Sequence, residues 1–276
     1  MIVTKETDSL KGCGSREIRK APSEMPLREV ARLMRQFKTG SLIIEEGGHY
    51  TGIVSEGDIV RRAVAQGATG DLPVKRFMTT PMMDIDVNES PIVANHRMYF
   101  NGIRHLALSE NGHVIGVISV RDLVYHFSND PASPLNALND IYQPVAVLAH
   151  REIQQIESSA SIQAVAQKMV EKKVGSLLVI LGERYVGIVT ETDIVRRAMA
   201  DQVSILETPV RAIMSYPILG VDLSAPISEV SHMMAANGVR HLAVTDFGKI
   251  IGILSVRDLI GMVSIRDLPR FFSGQY

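Results

Sequence analysis

The residues best placed to do chemistry in this chain recur in one motif: an apolar strand led by glycine, then a hydroxyl, then an aspartate three residues later. The motif occurs four times, at 52–58, 116–122, 187–193 and 252–258. A hydroxyl followed three residues later by an acid is typical of a capping box at a helix start. The same helix start also suits phosphate, through its free N–H groups and dipole, while the aspartate can accept hydrogen bonds from ribose hydroxyls. Helix capping and a ribose-phosphate site are therefore both open interpretations.

The four motifs are two copies of a pair. Gly187 follows Gly52 by 135 residues and Gly252 follows Gly116 by 136, whereas the two motifs of a pair are 64 or 65 residues apart. The odd copies share Gly-Ser-Leu before the motif, and the even copies share Arg-His-Leu-Ala at the same place. A period near 65 is longer than most solenoid repeats, so each copy is predicted to be a small domain.

Composition narrows the class of protein. A chain of 276 residues with 46% apolar residues predicts a well-buried globular protein. The net charge of −1 argues against nucleic-acid binding as the main role. Cys13 is the single cysteine, which leaves no disulfide framework and fits a reducing compartment. The first residues lack the apolar core of a signal peptide and no apolar run approaches a membrane span, so we expect a cytoplasmic protein without membrane insertion.

Apolar periodicity predicts an α-β-β-α order in each copy, and hence an α/β (α+β) fold. Copies 1 and 3 each begin with an amphipathic helix, whereas Asn95 and His96 interrupt the apolar face of that helix in copy 2. A short C-terminal imitation of the motif, Ser264–Leu268, is predicted to continue a helix, with Phe271 and Phe272 docking beyond it. The predicted boundaries are an N-terminal extension (1–15), copies 1 and 2 (16–70 and 71–128), a linker (129–145), copies 3 and 4 (146–205 and 206–265) and a tail (266–276).

The order, spacing and motif resemble four CBS domains paired into two Bateman modules, over about residues 16–265. The resemblance implies that the motif hydroxyl contacts phosphate or ribose, that the aspartate contacts ribose, and that adenine lies between apolar backbone segments of paired domains. It assigns ribose to Asp58, Asp122, Asp193 and Asp258, and phosphate to Ser55, Ser119, Thr190 and Ser255. It assigns the base to Met78, Thr79, Pro81, Met214, Ser215 and Pro217, although both methionines could simply be core residues.

Basic residues of the even copies are further candidates for phosphate. In the gamma subunit of AMP-activated kinase, which the even copies resemble, a His-Arg pair at the start of the strand holds phosphate. Here the order is reversed, as Arg104-His105 and Arg240-His241, so either side chain could face the cleft, and a surface arginine beside a satisfied histidine is the alternative. Arg121 and Arg257 stand next to the motif aspartates, and arginine matches phosphate oxygens well. The Arg61-Arg62 and Arg196-Arg197 pairs are predicted to be a solvated face or a contact between modules.

These observations predict a regulatory module without an enzyme activity, an obligatory cofactor or a metal. We found no P-loop, nucleophile elbow or metal-ligand spacing, and four CBS copies leave little chain for a catalytic domain. The leading hypothesis is a stand-alone energy sensor that binds AMP, ADP, ATP or a related adenosyl ligand and signals to a protein partner, as a homodimer. The alternatives are a scaffold or oligomerisation subunit, in which the motifs only cap helices, and a nucleic-acid accessory protein.

Overall fold

A computed structural model of the protein describes residues 9–129, 142–149 and 152–263. Most of the predicted linker and the whole of the predicted tail, with Ser264–Leu268, Phe271 and Phe272, lie outside the described residues.

Each copy contains a three-stranded sheet in which a short strand pairs in parallel with the first strand of an antiparallel hairpin. The predicted α-β-β-α order and the α/β class are confirmed, but the sequence analysis missed the short strand that precedes the first helix of every copy. These strands have only three residues, too few to show a period of two. The strands are β1 Lys20–Pro22, β2 Ser41–Glu46, β3 His49–Ser55, β4 Asp84–Asp86, β5 His105–Glu110, β6 His113–Ser119, β7 Gln155–Glu157, β8 Ser176–Leu181, β9 Arg184–Thr190, β10 Gly220–Asp222, β11 His241–Asp246 and β12 Lys249–Ser255.

The helices follow the apolar periodicity. They are α1 Leu27–Gln36, α2 Glu56–Asp58, α3 Pro91–Phe100, α4 Val120–Asn129, α5 Ile162–Lys172, α6 Glu191–Asp193, α7 Ile227–Asn237 and α8, which begins at 256 and is described to 263. In α1 and α5 the residues predicted to face the core are the buried ones. The short helices α2 and α6 continue as π-helical turns over Ile59–Ala63 and Ile194–Met199.

The first helix of copy 2 forms despite its polar interruption. Ser90 caps α3, and Asn95 and His96 are both buried in it. The side-chain amide of Asn95 donates to the carbonyl oxygen of Ile260, 3.0 Å away, in α8 of the same compact unit. The two polar residues therefore face a neighbouring helix, where the Asn95 amide finds a backbone partner.

The described residues divide into two compact units. The odd unit comprises 18–82 and 152–219, and thus the sheets of copies 1 and 3, and the even unit takes its residues from 1–17, 83–151 and 220–276. In the odd unit, one core joins α1 and α5 with the π-helical turns, around buried residues such as Met34, Val60, Met169 and Val195. The pairing of consecutive copies into modules, which the resemblance implies, stays a prediction.

Four lead-in segments, at 10–15, 74–79, 145–149 and 210–215, each begin with a 3-10 turn. In three of them a residue forms a single antiparallel bridge with the second hairpin strand of a copy: Ser15 with Val117, Thr79 with Ile53, and Ser215 with Ile188. The motif glycine makes room for this approach, since a Cβ on Gly116 would lie 2.1 Å from the carbonyl oxygen of Ser15. The predicted N-terminal extension thus ends in a segment that packs on copy 2.

Candidate functional site

The four motifs build the same hydrogen-bonded turn. In each, the backbone N–H and the hydroxyl of the Ser or Thr both donate to Oδ2 of the aspartate, at distances of 2.5–2.9 Å. In copies 1 and 3 the aspartate N–H returns a bond to the hydroxyl, which completes the predicted capping box. The turn therefore fixes the orientation of each carboxylate and leaves Oδ1 for another partner.

In the odd copies, the lead-in segments supply that partner. The Ser215 hydroxyl lies 2.8 Å from Oδ1 of Asp193, and the Thr79 hydroxyl lies 3.4 Å from Oδ1 of Asp58. A Cβ on Gly187 would lie 2.6 Å from the sulfur of Met214, which packs over that glycine. Four of the residues predicted to form a base pocket, Met78, Thr79, Met214 and Ser215, are thus beside the motif, whereas Pro81 and Pro217 are exposed.

One arginine of each odd pair holds the lead-in segment in place, and we call Arg62 and Arg197 the clamp arginines. Arg62 donates to the carbonyl oxygens of Phe77 and Met78, at 3.3 and 2.8 Å, and lies 3.7 Å from Asp58. Arg197 donates to the carbonyl oxygens of the equivalent residues, 213 and 214, at 2.8 and 2.9 Å, and lies 3.4 Å from its own motif aspartate. The clamp arginines therefore tie each odd-copy aspartate to a lead-in segment.

The other arginines form crossed ion pairs within the odd unit. Arg196 of copy 3 lies 2.9 Å from the carboxylate of Glu56 in copy 1, and Arg61 of copy 1 lies 3.2 Å from Glu191 in copy 3. Both carboxylates are almost fully buried, with exposed fractions of 0% and 3%. The sequence analysis missed Glu56 and Glu191, although one signal was present: a glutamate directly follows the hydroxyl in the odd copies, where the even copies have valine.

In the even copies, the Arg-His pairs lie next to the motif hydroxyl. His105 is paired in register with Ser119, and His241 with Ser255. The carbonyl oxygen of Arg104 accepts a hydrogen bond from the first N–H of α4, at 3.0 Å. Sequence reasoning thus identified a real neighbourhood, and the contact of these side chains with phosphate stays a prediction.

Arg121 and Arg257 contact the opposite even copy. The guanidinium of Arg121 donates to the carbonyl oxygen of Gly238 at 3.4 Å, and that of Arg257 donates to Gly102 at 3.1 Å. Gly238 is the C-cap of α7, so Arg121 lies at the negative end of that helix dipole. These arginines, which were predicted to hold phosphate, therefore also join copies 2 and 4.

A cavity of about 690 Å³ opens in the even unit beside Asp122. It lies between the first lead-in segment, α4, α7 and the start of α8, in the size range of small-molecule sites. Asp122 is the only carboxylate among its lining residues, which are Gly12, Cys13, Gly14, Arg121, Asp122, Val124, Tyr125, His126, Ser128, Ser231, His232, Met234, Ala235, Val239, Arg240 and Val256. Two arginines and two histidines against one carboxylate favour an anionic occupant.

The cavity wall shifts the titration of its one thiol. Burial raises the pKa of Cys13, and the nearby Asp122 carboxylate raises it further, against a smaller opposite effect of Arg16. Cys13 therefore stays protonated near neutral pH. Among the described residues, no group of three or more histidine, cysteine or acidic side chains is placed to hold a metal ion, and no helix is long and apolar enough to span a bilayer.

Comparison with known proteins adds the family. A family model described as CBS domain matches residues 13–65, 74–129, 145–200 and 210–265. The CBS domain-containing protein CBSCBSPB1 from Arabidopsis thaliana is 23% identical over 82% of this chain and 48% of its own length, so the chain spans about half of that relative. The CBS domain-containing protein YhcV from Bacillus subtilis is 29% identical over 48% of this chain and 94% of its own length. The crystal structure of MJ1225 from Methanocaldococcus jannaschii, a proposed archaeal homologue of g-AMPK, covers 92% of this chain and 99% of its own with a TM-score of 0.77 at 17% identity, and thus shares the fold.

Proposed function

The chain belongs to the CBS-domain family, and from that premise we propose that it is a regulatory module which binds an adenine nucleotide at Asp122 and signals to a partner protein. The observation that carries this proposal is the cavity of about 690 Å³, where the motif aspartate of copy 2 is surrounded by cationic side chains. The proposed ligand is AMP, ADP, ATP or a related adenosyl compound. It acts as a regulatory ligand, with no catalytic step and no obligatory cofactor.

The chemistry of the cavity supports this ligand class. Two hydrogen bonds from Ser119, both 2.7 Å long, fix Asp122, so its carboxylate is oriented before any ligand arrives. A carboxylate held in this way can accept hydrogen bonds from two ribose hydroxyls. Arg121 and Arg240 line the same cavity, and their planar guanidinium groups match phosphate oxygens. Ribose and phosphate groups of one nucleotide would therefore both find partners.

The position of the cavity explains how binding could be transmitted. Its walls come from α4 of copy 2 and α7 of copy 4, which also share the Arg121–Gly238 hydrogen bond. A ligand shifts a conformational equilibrium only by its difference in affinity for two states. A nucleotide that draws Arg121 toward its phosphate would weaken the link to α7, and thus change how the two copies pack. We propose that a partner protein, or a second copy of this chain, senses that change.

A scaffold role is the second candidate, and the odd copies favour it. Asp58 and Asp193 bond to the hydroxyls of their own capping boxes and of the lead-in segments, as residues that stabilise helix starts and loops do.

Thermal unfolding with AMP, ADP and ATP separates the two roles. A nucleotide present at 100 times its dissociation constant should stabilise the protein by about 2.7 kcal/mol. We expect Asp122→Ala to abolish that shift while lowering stability by only about 1 kcal/mol, the usual cost of a lost cap. The control is Asp222→Ala, which removes an exposed aspartate of the even unit that bonds to Ser224 outside the cavity. If no nucleotide stabilises the wild-type protein, the scaffold role is the one to pursue, and retarded nucleic acid in a gel-shift assay at physiological salt would favour the accessory role.

A further inference from the structure

Copies 1 and 2 can be compared residue by residue, because their motifs and lead-in segments correspond at an offset of 64. Thr79 bridges Ile53 in copy 1, and Ser15 bridges the equivalent Val117 in copy 2. The 3-10 turns Val74–Arg76 and Leu10–Gly12 keep the same offset. Differences between matched positions therefore show why one motif is filled by the chain itself and the other faces a cavity.

The first difference is in the lead-in segment. Met78 packs over the motif glycine of copy 1, where a Cβ on Gly52 would lie 2.9 Å from its sulfur, and the position equivalent to Met78 in copy 2 is Gly14. The hydroxyl equivalent to Thr79 also has a different partner, since Ser15 accepts a hydrogen bond from the N–H of Glu17 at 3.2 Å. The side chains that cover Asp58 are thus missing or redirected beside Asp122.

The second difference lies four residues after the aspartate, on the same face of the helix. Copies 1 and 3 have the clamp arginines, Arg62 and Arg197, which bond to two lead-in carbonyl oxygens each. Copy 2 has His126, whose shorter ring lines the cavity together with Cys13 and Gly14.

The third difference is in the charges of the opposite copy. Arg61 lies against the buried Glu191 in the odd unit, so the two charges there balance. The equivalent positions in the even unit are Tyr125 and Val256, and both line the cavity. Without that carboxylate, the cavity keeps the excess of cations that suits an anion.

We propose that the residue four positions after the motif aspartate selects which copies bind a ligand. Arginine at this position closes the motif in copies 1 and 3, and histidine leaves Asp122 of copy 2 open to the cavity. The selection rests on the proposed nucleotide-binding function, but the closure itself concerns the ligand-free protein.

Hydrogen exchange of the ligand-free full chain tests the closure. The N–H of Thr79 donates to the carbonyl oxygen of Ile53 at 2.8 Å, and Arg62→His should speed the exchange of that amide at least 10-fold because the clamp is lost. Arg197→His should do the same for Ser215. The control is Arg76→His, an exposed residue of the same lead-in segment. Exchange in the clamp variants equal to that of the control would overturn the proposal.

Calorimetry with ATP tests the selection. We expect His126→Arg to weaken ATP binding at least 30-fold, and Arg62→His with Arg197→His to raise the number of bound ATP molecules by one or two. Slower exchange of the Ser15 amide in His126→Arg would show that this variant is folded and clamped. Unchanged ATP affinity in His126→Arg, or an unchanged number of sites after the clamps open, would overturn the selection. If the wild-type protein binds no ATP, the proposed function fails for that ligand, and the exchange result alone decides whether the clamps close the odd copies.

Discussion

The crossed ion pairs of the odd unit give a sharp test of how copies 1 and 3 are held together. Glu56 has no exposed surface, and its two oxygens accept hydrogen bonds from Arg196 and Thr192, both at 2.9 Å. Arg196→Ala leaves this buried carboxylate with the Thr192 hydroxyl but without its cation. Removing one partner of a buried pair costs about 3–5 kcal/mol. Because 23% of the Arg196 side chain is exposed, we expect the low end, about 3 kcal/mol.

A double-mutant cycle isolates the pair. Glu56→Ala with Arg196→Ala removes the buried charge together with its partner, and we expect a coupling energy of about 2 kcal/mol. The other hydrogen bond of Arg196, to the carbonyl oxygen of Thr39, is absent from both variants that lack the arginine, so the cycle cancels it. Urea unfolding followed by circular dichroism measures all four proteins.

The matched control comes from the same pair of copies. Arg35 and Asp201 are 2.7 Å apart, but their side chains are 45% and 50% exposed. Exposed pairs contribute about 0–1 kcal/mol, so Arg35→Ala should cost less than 1 kcal/mol. If Arg196→Ala costs no more than Arg35→Ala, burial does not strengthen the crossed pairs and the reasoning is wrong.

Three further outcomes can be measured on the same protein. Gly116→Ala should lower the midpoint of urea unfolding, by an amount equivalent to about 2 kcal/mol or more, because its Cβ would meet a carbonyl oxygen at 2.1 Å, whereas Gly12→Ala, with nothing within 4 Å of its Cβ, should change it little. Ser215→Ala removes the 2.8 Å hydrogen bond to Asp193, and a loss of about 1 kcal/mol in the same assay is expected; no loss would mean that the carboxylate finds water instead. Because the pKa of Cys13 is raised by burial, its thiolate fraction at pH 8 lies below that of a free thiol, so iodoacetamide should modify it at least 10-fold more slowly than glutathione, faster as the pH rises, and more slowly still when a nucleotide fills the cavity.

The parts of the fold that depend on neighbouring residues were predictable from the sequence. The helices α1 and α5 follow from apolar residues on one helical face, and the capping boxes follow from a hydroxyl and an aspartate three residues apart. The four copies also gave the family, since their order and motif recur at regular spacing.

The rest depends on contacts between residues far apart in the chain. A glutamate at a helix start is normally solvated, and the burial of Glu56 becomes favourable only because Arg196 arrives from copy 3. Arg62 has no sequence neighbour that would mark it as a clamp, because its acceptors are backbone oxygens 15 and 16 residues away. Asn95 breaks the apolar pattern of α3, and its acceptor lies 165 residues further along the chain.

The lead-in segments bear on how such a chain can be inherited and cut. Copy 1 receives its bridge from Thr79, which precedes β4 of copy 2, and copy 2 receives its bridge from Ser15, which precedes β1 of copy 1. A gene fragment that encodes one copy alone would leave out the peptide that completes its own hairpin edge. The smallest fragment that keeps both bridges therefore runs from before Ser15 to the end of copy 2, which agrees with a duplication that repeats at 135 residues and not at 64.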